Sequence, residues 1–162
     1  MARRGKATRG ALPVSRARAV RAVAAAPAIT FASFVSRGTS AVEKIGAIRR
    51  GMRARVLDEM VAYLAVPKSA VFALLHTPDS TAHRRIRDNR SLDAATSERV
   101  VRVADVARQA EAALGGREPA TQWLRSANRA LGGATPLSML DTEPGAGEVR
   151  RILAAISHGG VF

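Results

Sequence analysis

The sequence predicts an all-α fold, and three observations carry that reading. Apolar residues make up 47% of the chain while aromatics reach only 4%, so alanine supplies much of the apolar share. Alanine and the abundant arginine lose little side-chain freedom in a helix. Apolar positions recur at helical spacing in successive windows, and clusters of Gly, Pro and Ser separate those windows. No strand-length alternation and no internal repeat interrupts the pattern.

The chain opens differently. Residues 1–40 hold Arg3, Arg4, Lys6, Arg9, Arg16, Arg18 and Arg21, broken by Gly5, Gly10, Pro13 and Pro27, and are expected to form a basic, poorly ordered arm. Residues 1–55 carry thirteen Lys/Arg against one acid, Glu43, whereas residues 56–162 carry thirteen against twelve. The excess of the net +13 charge is therefore N-terminal. Such an arm meets phosphate, on nucleic acid or on an anionic membrane surface, or serves as a solvated tail. Its start also imitates a targeting peptide, although Pro27, Thr30 and Ser33 interrupt the apolar core that a secretory signal needs.

From residue 41 helical periodicity takes over. Leu57, Met60, Val61 and Leu64 fall at i, i+3, i+4 and i+7. Pro67 ends that helix or opens the next, in which Val71, Leu74 and Leu75 face inward. The stretch TPDS at 77–80 has turn chemistry, with Ser80 as the expected cap of a short helix reaching about Asp88. Residues 91–114 form a long helix with Ser91 as its expected cap and an apolar stripe of Val100, Val103, Ala104, Ala107, Ala110 and Leu114. Glu98 and Arg102 pair across one of its turns, and Gly115–Gly116 stops it. A further helix is expected to open at Pro119, with Ala120, Trp123, Leu124 and Ala127 on one face. Gly132–Gly133 and Pro136 turn the chain, Asp141–Thr142 can cap a short helix, and a last helix is expected over about 147–157 on Val149, Ile152, Leu153 and Ile156.

Two short helices joined by a turn and flanked by longer ones describe a helix-turn-helix unit, assigned to residues 41–114. In the second short helix Ala82 and Ile86 anchor the inner side. Ser80, Thr81, Arg84 and Arg87 then fall outward, with His83 and Arg85 on the flanks. Arginine reads guanine through two parallel hydrogen bonds, and hydroxyls hold phosphate, so this face suits a DNA duplex. The same residues would also make an ordinary solvated basic face.

Several classes are excluded or disfavoured. The absence of cysteine removes disulfides, thiolate metal sites and cysteine nucleophiles, and fits a cytoplasmic protein. No run of about 18 apolar residues spans a membrane. His76, His83 and His158 are scattered, and neither a Gly-rich phosphate loop nor a nucleophile with a base is present. The chain is expected to be a non-enzyme without catalytic residues, metal or cofactor.

Residues 115–162, read as a separate small helical domain, are more specific. Ala120 precedes Trp123-Leu124, then Asn128, then ALGGATPLSMLDTEPGAGEVRRILAAISHG over 130–159. This succession resembles the C-terminal toxin-binding domain of the Xre/MbcA/ParS-like antitoxins. Upstream, HRRIRDNRSLDAATSERVVRVADVARQA resembles the same family more loosely. Asp93-Ala94 stands where the family often has Ser-Pro, and Ser126-Ala127 where a proline commonly precedes the asparagine.

The resemblance implies a type II antitoxin that neutralises a cognate RES-type, NAD-consuming toxin by direct binding and autorepresses its operon at operator DNA, acting as a homodimer. It implies toxin-facing positions at Asn128, Leu131, Gly132, Pro136 and Arg150. It also implies that the tail of His158, Gly159, Gly160, Val161 and Phe162 lies against the toxin's active-site cleft, with Phe162 as an apolar anchor. Taken alone, Asn128, Gly132 and Trp123 read first as turn and core residues, and the tail reads equally as a frayed end. The competing function is a free-standing helix-turn-helix regulator or nucleoid-associated DNA-binding protein.

Overall fold

The computed structural model describes residues 30–36 and 38–159, and every element in it is helical apart from one isolated bridge between Arg53 and Ser91. Most of the basic arm and the tail residues Gly160, Val161 and Phe162 lie outside the described residues.

The expectation of poor order through residue 40 does not hold at its end. Helix α1 (Phe31–Ser36) places Phe31, Phe34 and Val35 in the core. Spacing of i, i+3 and i+4 gives the turn an apolar face, and Glu59 accepts the Phe31 N–H at 2.6 Å, closing an otherwise orphaned donor. Helix α2 (Ala41–Arg50) starts at a reciprocal cap in which Ser40 and Glu43 exchange side-chain and backbone bonds.

Helices α3 (Val56–Leu64), α4 (Lys68–Leu74) and α5 (Asp79–Arg87) follow the periodicity closely. Ser80 does not cap α5: the helix begins at Asp79 behind Pro78, whose side chain cannot accept a hydrogen bond. The turn before it needs no glycine, because His76 adopts a left-handed φ of 52° and Thr77 N–H reaches back to the Phe72 carbonyl at 2.9 Å.

Helix α6 (Ala94–Leu114) runs 21 residues, about 30 Å, and is the spine of the molecule. Its cap is Asp93, which accepts Thr96 N–H at 2.8 Å, rather than Ser91, which is held in the bridge to Arg53. The spine packs against α1, α2, α7 (Arg117–Arg125) and α8 (Glu143–Ser157). Helix α7 opens at Gly116, before Pro119, and ends at Arg125, so Ala127 lies beyond its apolar face and is exposed. Short 3-10 turns at Arg129–Leu131 and Leu137–Asp141 lead to α8, which Thr142 caps by accepting Gly145 N–H at 3.2 Å. It starts earlier than the apolar spacing indicates because Glu143 and Pro144 suit a first turn.

A single apolar core extends from Phe31 through Leu57, Leu64 and Val100 to Leu124, Leu140 and Leu153. The helix-turn-helix part and the C-terminal part thus share one core along α6, and the C-terminal part presents its outer side to solvent.

Candidate functional site: a basic helix and a C-terminal platform

Helix α5 is held by Ala82, fully buried, and by Ile86, packed against the core. At 100° per residue this leaves Ser80, Arg84 and Arg87 exposed, with Thr81 partly so. The structure therefore brings four of the six expected DNA-facing residues to one open face. Arg84 has no ion pair among the described residues, and Arg87, with its side chain 75% exposed, touches Asp88 at 3.1 Å.

The two flanking residues behave differently. Arg85 turns back onto its own chain: its Nη1 donates to Asp93 at 3.2 Å and to the Ser91 carbonyl at 3.4 Å. Asp93 is thereby doubly employed. The Thr96 N–H, foremost, holds its carboxyl below the usual range, with Arg85 adding to the effect. The His83 ring stands edge-on to Phe72, 5.2 Å between centroids, which docks it on α4 while its residue stays exposed.

The C-terminal platform is shaped by Asn128. Its side chain accepts Ala130 N–H at 2.9 Å, its N–H donates to Ala134 O at 3.0 Å, and its carbonyl accepts from Leu131 and Gly133. Asn128 is thus the knot of the loop. Leu131 packs partly against the core, and Gly132 is exposed in a left-handed conformation. Pro136 is buried at the start of the second 3-10 turn, so it supports the platform from beneath instead of facing outward as expected. Trp123 is half-buried against the core.

On α8, Arg150 donates to Glu143 at 2.6 Å. That bond is the main reason the Glu143 carboxyl lies below its usual range, with the Arg102 charge a smaller contributor. Arg102 is the residue that sequence spacing revealed only in part. Besides both oxygens of Glu98 at 2.8 Å it holds Glu143 at 2.9 Å and the Asp141 carbonyl at 3.2 Å, 39 residues away. A second link joins the two parts where His76, after α4, lies 3.4 Å from Asp141. At the end of α8, exposed His158 bonds the Ala154 carbonyl through Nδ1 at 2.6 Å, and Gly159 takes a left-handed φ of 76°.

Comparison with known families fits this geometry. Residues 43–105 match the antitoxin Xre-like helix-turn-helix domain, and residues 109–159 match the antitoxin Xre/MbcA/ParS C-terminal toxin-binding domain. A "Prs ADP-ribosylating antitoxin" of Sphingobium sp. (strain YBL2) is 33% identical over 129 residues, covering 74% of this chain and 81% of the relative.

The chain belongs to the Xre/MbcA/ParS antitoxin family.

An "Antitoxin Xre" of Yersinia enterocolitica is 30% identical over 125 residues, 76% of this chain and 82% of that protein. One from Pseudomonas putida is 33% identical over 82 residues, about half of each chain. This antitoxin accordingly joins a helix-turn-helix domain to a toxin-binding domain, and the two matched regions meet inside α6. These relatives are named as antitoxins. No described helix is long and apolar enough to cross a membrane.

Proposed function

We propose that this antitoxin neutralises a cognate RES-type toxin, an NAD-consuming enzyme, by covering it with the exposed side of the C-terminal platform. In the same reading it represses its own operon through α5, works as a homodimer, acts in the cytoplasm and has no catalytic activity of its own. The observation that carries the proposal is the matched toxin-binding region folded around Asn128 and α8, with its inner side in the core and Gly132, Glu148 and Arg151 left exposed. The name of the Sphingobium relative, Prs ADP-ribosylating antitoxin, links an antitoxin to ADP-ribosylation, a chemistry that consumes NAD, and so favours NAD chemistry in a system of this kind.

On this reading Leu131, Gly132 and Arg150 border the covered surface, while Asn128 and Pro136 shape it from within. The tail beginning at His158 extends toward the toxin's cleft. DNA contact falls to Ser80, Thr81, Arg84 and Arg87, with His83 and Arg85 set back against α4 and Asp93.

Co-expression tests the proposal. A RES-type enzyme encoded beside this chain should arrest growth and deplete NAD when induced alone, and this antitoxin should restore both. Growth arrest that persists despite a folded, abundant antitoxin overturns the reading and favours a free-standing regulator.

A further inference from the structure

Residues 51–55 run alongside the turn that closes α5. Gly51 has φ +75°, and a Cβ on it would fall 2.3 Å from the Leu92 carbonyl oxygen, so the close approach depends on glycine. Two backbone bonds stitch the segments together: Leu92 N–H to Met52 O at 2.8 Å, and Ala54 N–H to Arg90 O at 2.9 Å. Met52 N–H also donates to the buried Ser97 hydroxyl at 3.0 Å. The segment is therefore anchored on both sides.

That anchoring aims charge outward. Met52 and Ala54 are buried, and Arg53 and Arg55 are exposed between and after them. Arg53 Nη1 donates to the Asn89 carbonyl at 3.3 Å, which lays its guanidinium over the α5 exit turn, next to exposed Arg90. Asp88 is the one acid in 51–55 and 85–92, and it is shared by Arg87 at 3.1 Å and Arg90 at 3.6 Å. Among the described residues neither Arg53 nor Arg55 has an ion-pair partner. Two segments far apart in sequence thus build one surplus of positive charge on rigid backbone, continuous with the open face of α5.

The geometry points to a phosphate clamp: Arg53, Arg55 and Arg90 grip the phosphodiester backbone of duplex DNA beside the groove that α5 enters. This inference rests on the DNA-binding part of the proposed function. Guanidinium groups carried on backbone anchored in this way hold the duplex in register without reading its sequence. The three clamp arginines lie outside the arginine-rich stretch of residues 1–29 in sequence.

The test compares the full chain with Arg53→Ala/Arg55→Ala/Arg90→Ala by fluorescence anisotropy. One duplex carries the DNA just upstream of the chain's own coding sequence; a second is a shuffled duplex of equal composition. Salt is varied between about 50 and 200 mM. The triple variant should weaken binding to both duplexes by the same factor, and the slope of log K against log salt should flatten by up to about 0.9 per arginine removed. The triple lysine variant, which keeps the charges, should retain the wild-type slope and reports that any loss is not misfolding. An unchanged slope in the alanine variant overturns the clamp while leaving DNA reading by α5 intact. So does a loss confined to the upstream duplex, because these arginines would then read bases. If the wild-type chain binds neither duplex, the DNA-binding reading fails and the clamp falls with it.

Discussion

Arg102, its side chain only 9% exposed, reaches from α6 to Glu143 in the first turn of α8 at 2.9 Å. It also chelates Glu98 and bonds the carbonyls of Leu140 and Asp141. A guanidinium satisfies carboxylates and helix-end carbonyls at once because its donors form a planar fork. One side chain thereby fixes the C-terminal platform on the spine that carries the helix-turn-helix unit.

Arg102→Ala should cost about 1–3 kcal/mol of stability, since it leaves Glu98 and the Leu140 and Asp141 carbonyls without their donor and Glu143 with Arg150 alone. Arg102→Lys should recover little of that, lacking the fork. Urea denaturation followed by circular dichroism measures both. Full recovery in the lysine variant would mean that charge alone, not geometry, holds the junction.

Acid should loosen the same junction and the capped start of α6. The carboxyls of Glu143 and Asp93 lie below their usual range, held chiefly by Arg150 and by the Thr96 N–H respectively. A depressed folded pKa contributes stability that is fully present above the unfolded value of about 4, and that is lost as pH falls through the lower folded value. Stability from these groups is therefore level across neutral pH and declines in acid. Glu143→Gln should be less stable at neutral pH and show a shallower acid decline in thermal melts. Superimposable pH profiles for the two proteins contradict this.

On α5, Arg84→Ala and Arg87→Ala should each weaken operator binding by roughly 1–3 kcal/mol where they read a base. Arg85→Ala should matter less for binding, because that side chain is tied to Asp93 and Ser91. Anisotropy titrations rank the three. An Arg85 variant as damaged as the other two would show that its intramolecular tie breaks on DNA.

Between α3 and α4, Ala65 occupies the left-handed region at φ 53°. Glycine avoids the Cβ clash there, offset by its greater freedom when unfolded, so Ala65→Gly should stabilise the fold by about 0.5–1 kcal/mol. Chemical denaturation measures the change, and a destabilised variant would mean that the Ala65 methyl packs usefully.

Much of this was legible in the sequence, and the exceptions have physical causes. Leu57, Met60 and Leu64, or Val100, Val103 and Ala107, announce helices because local spacing and burial agree. Helix α1 was hidden by its setting: Phe31, Phe34 and Val35 carry the right spacing, but one turn next to an arginine-rich stretch gives a weak signal. The early start of α8 was masked by Pro144, Gly145 and Gly147. Gly145 is required there, because a Cβ would fall 2.1 Å from the Met139 carbonyl oxygen. The outward face of α5 followed from helical geometry, whereas the inward turn of Arg85, the burial of Pro136 and the reach of Arg53 to the Asn89 carbonyl depend on tertiary contacts. No spacing rule along one helix encodes the Arg102–Glu143 contact either; only its Glu98 half lies within a turn.

The tail offers a narrower question about inhibition. If the platform binds and the tail blocks the cleft, as proposed, deleting residues 158–162 should leave association with the toxin largely intact and raise residual toxin activity. Gel filtration and an NAD-consumption assay on the same samples separate the two effects. Complete inhibition by the shortened chain would assign the blocking to the platform.

A C-terminal platform that covers and silences an enzyme should do so at fixed stoichiometry. The purified chain is titrated into a RES-type enzyme encoded beside it while NAD consumption is followed. Activity should fall linearly to a sharp end point at a fixed molar ratio. Undiminished NAD consumption in the presence of excess folded chain would contradict it.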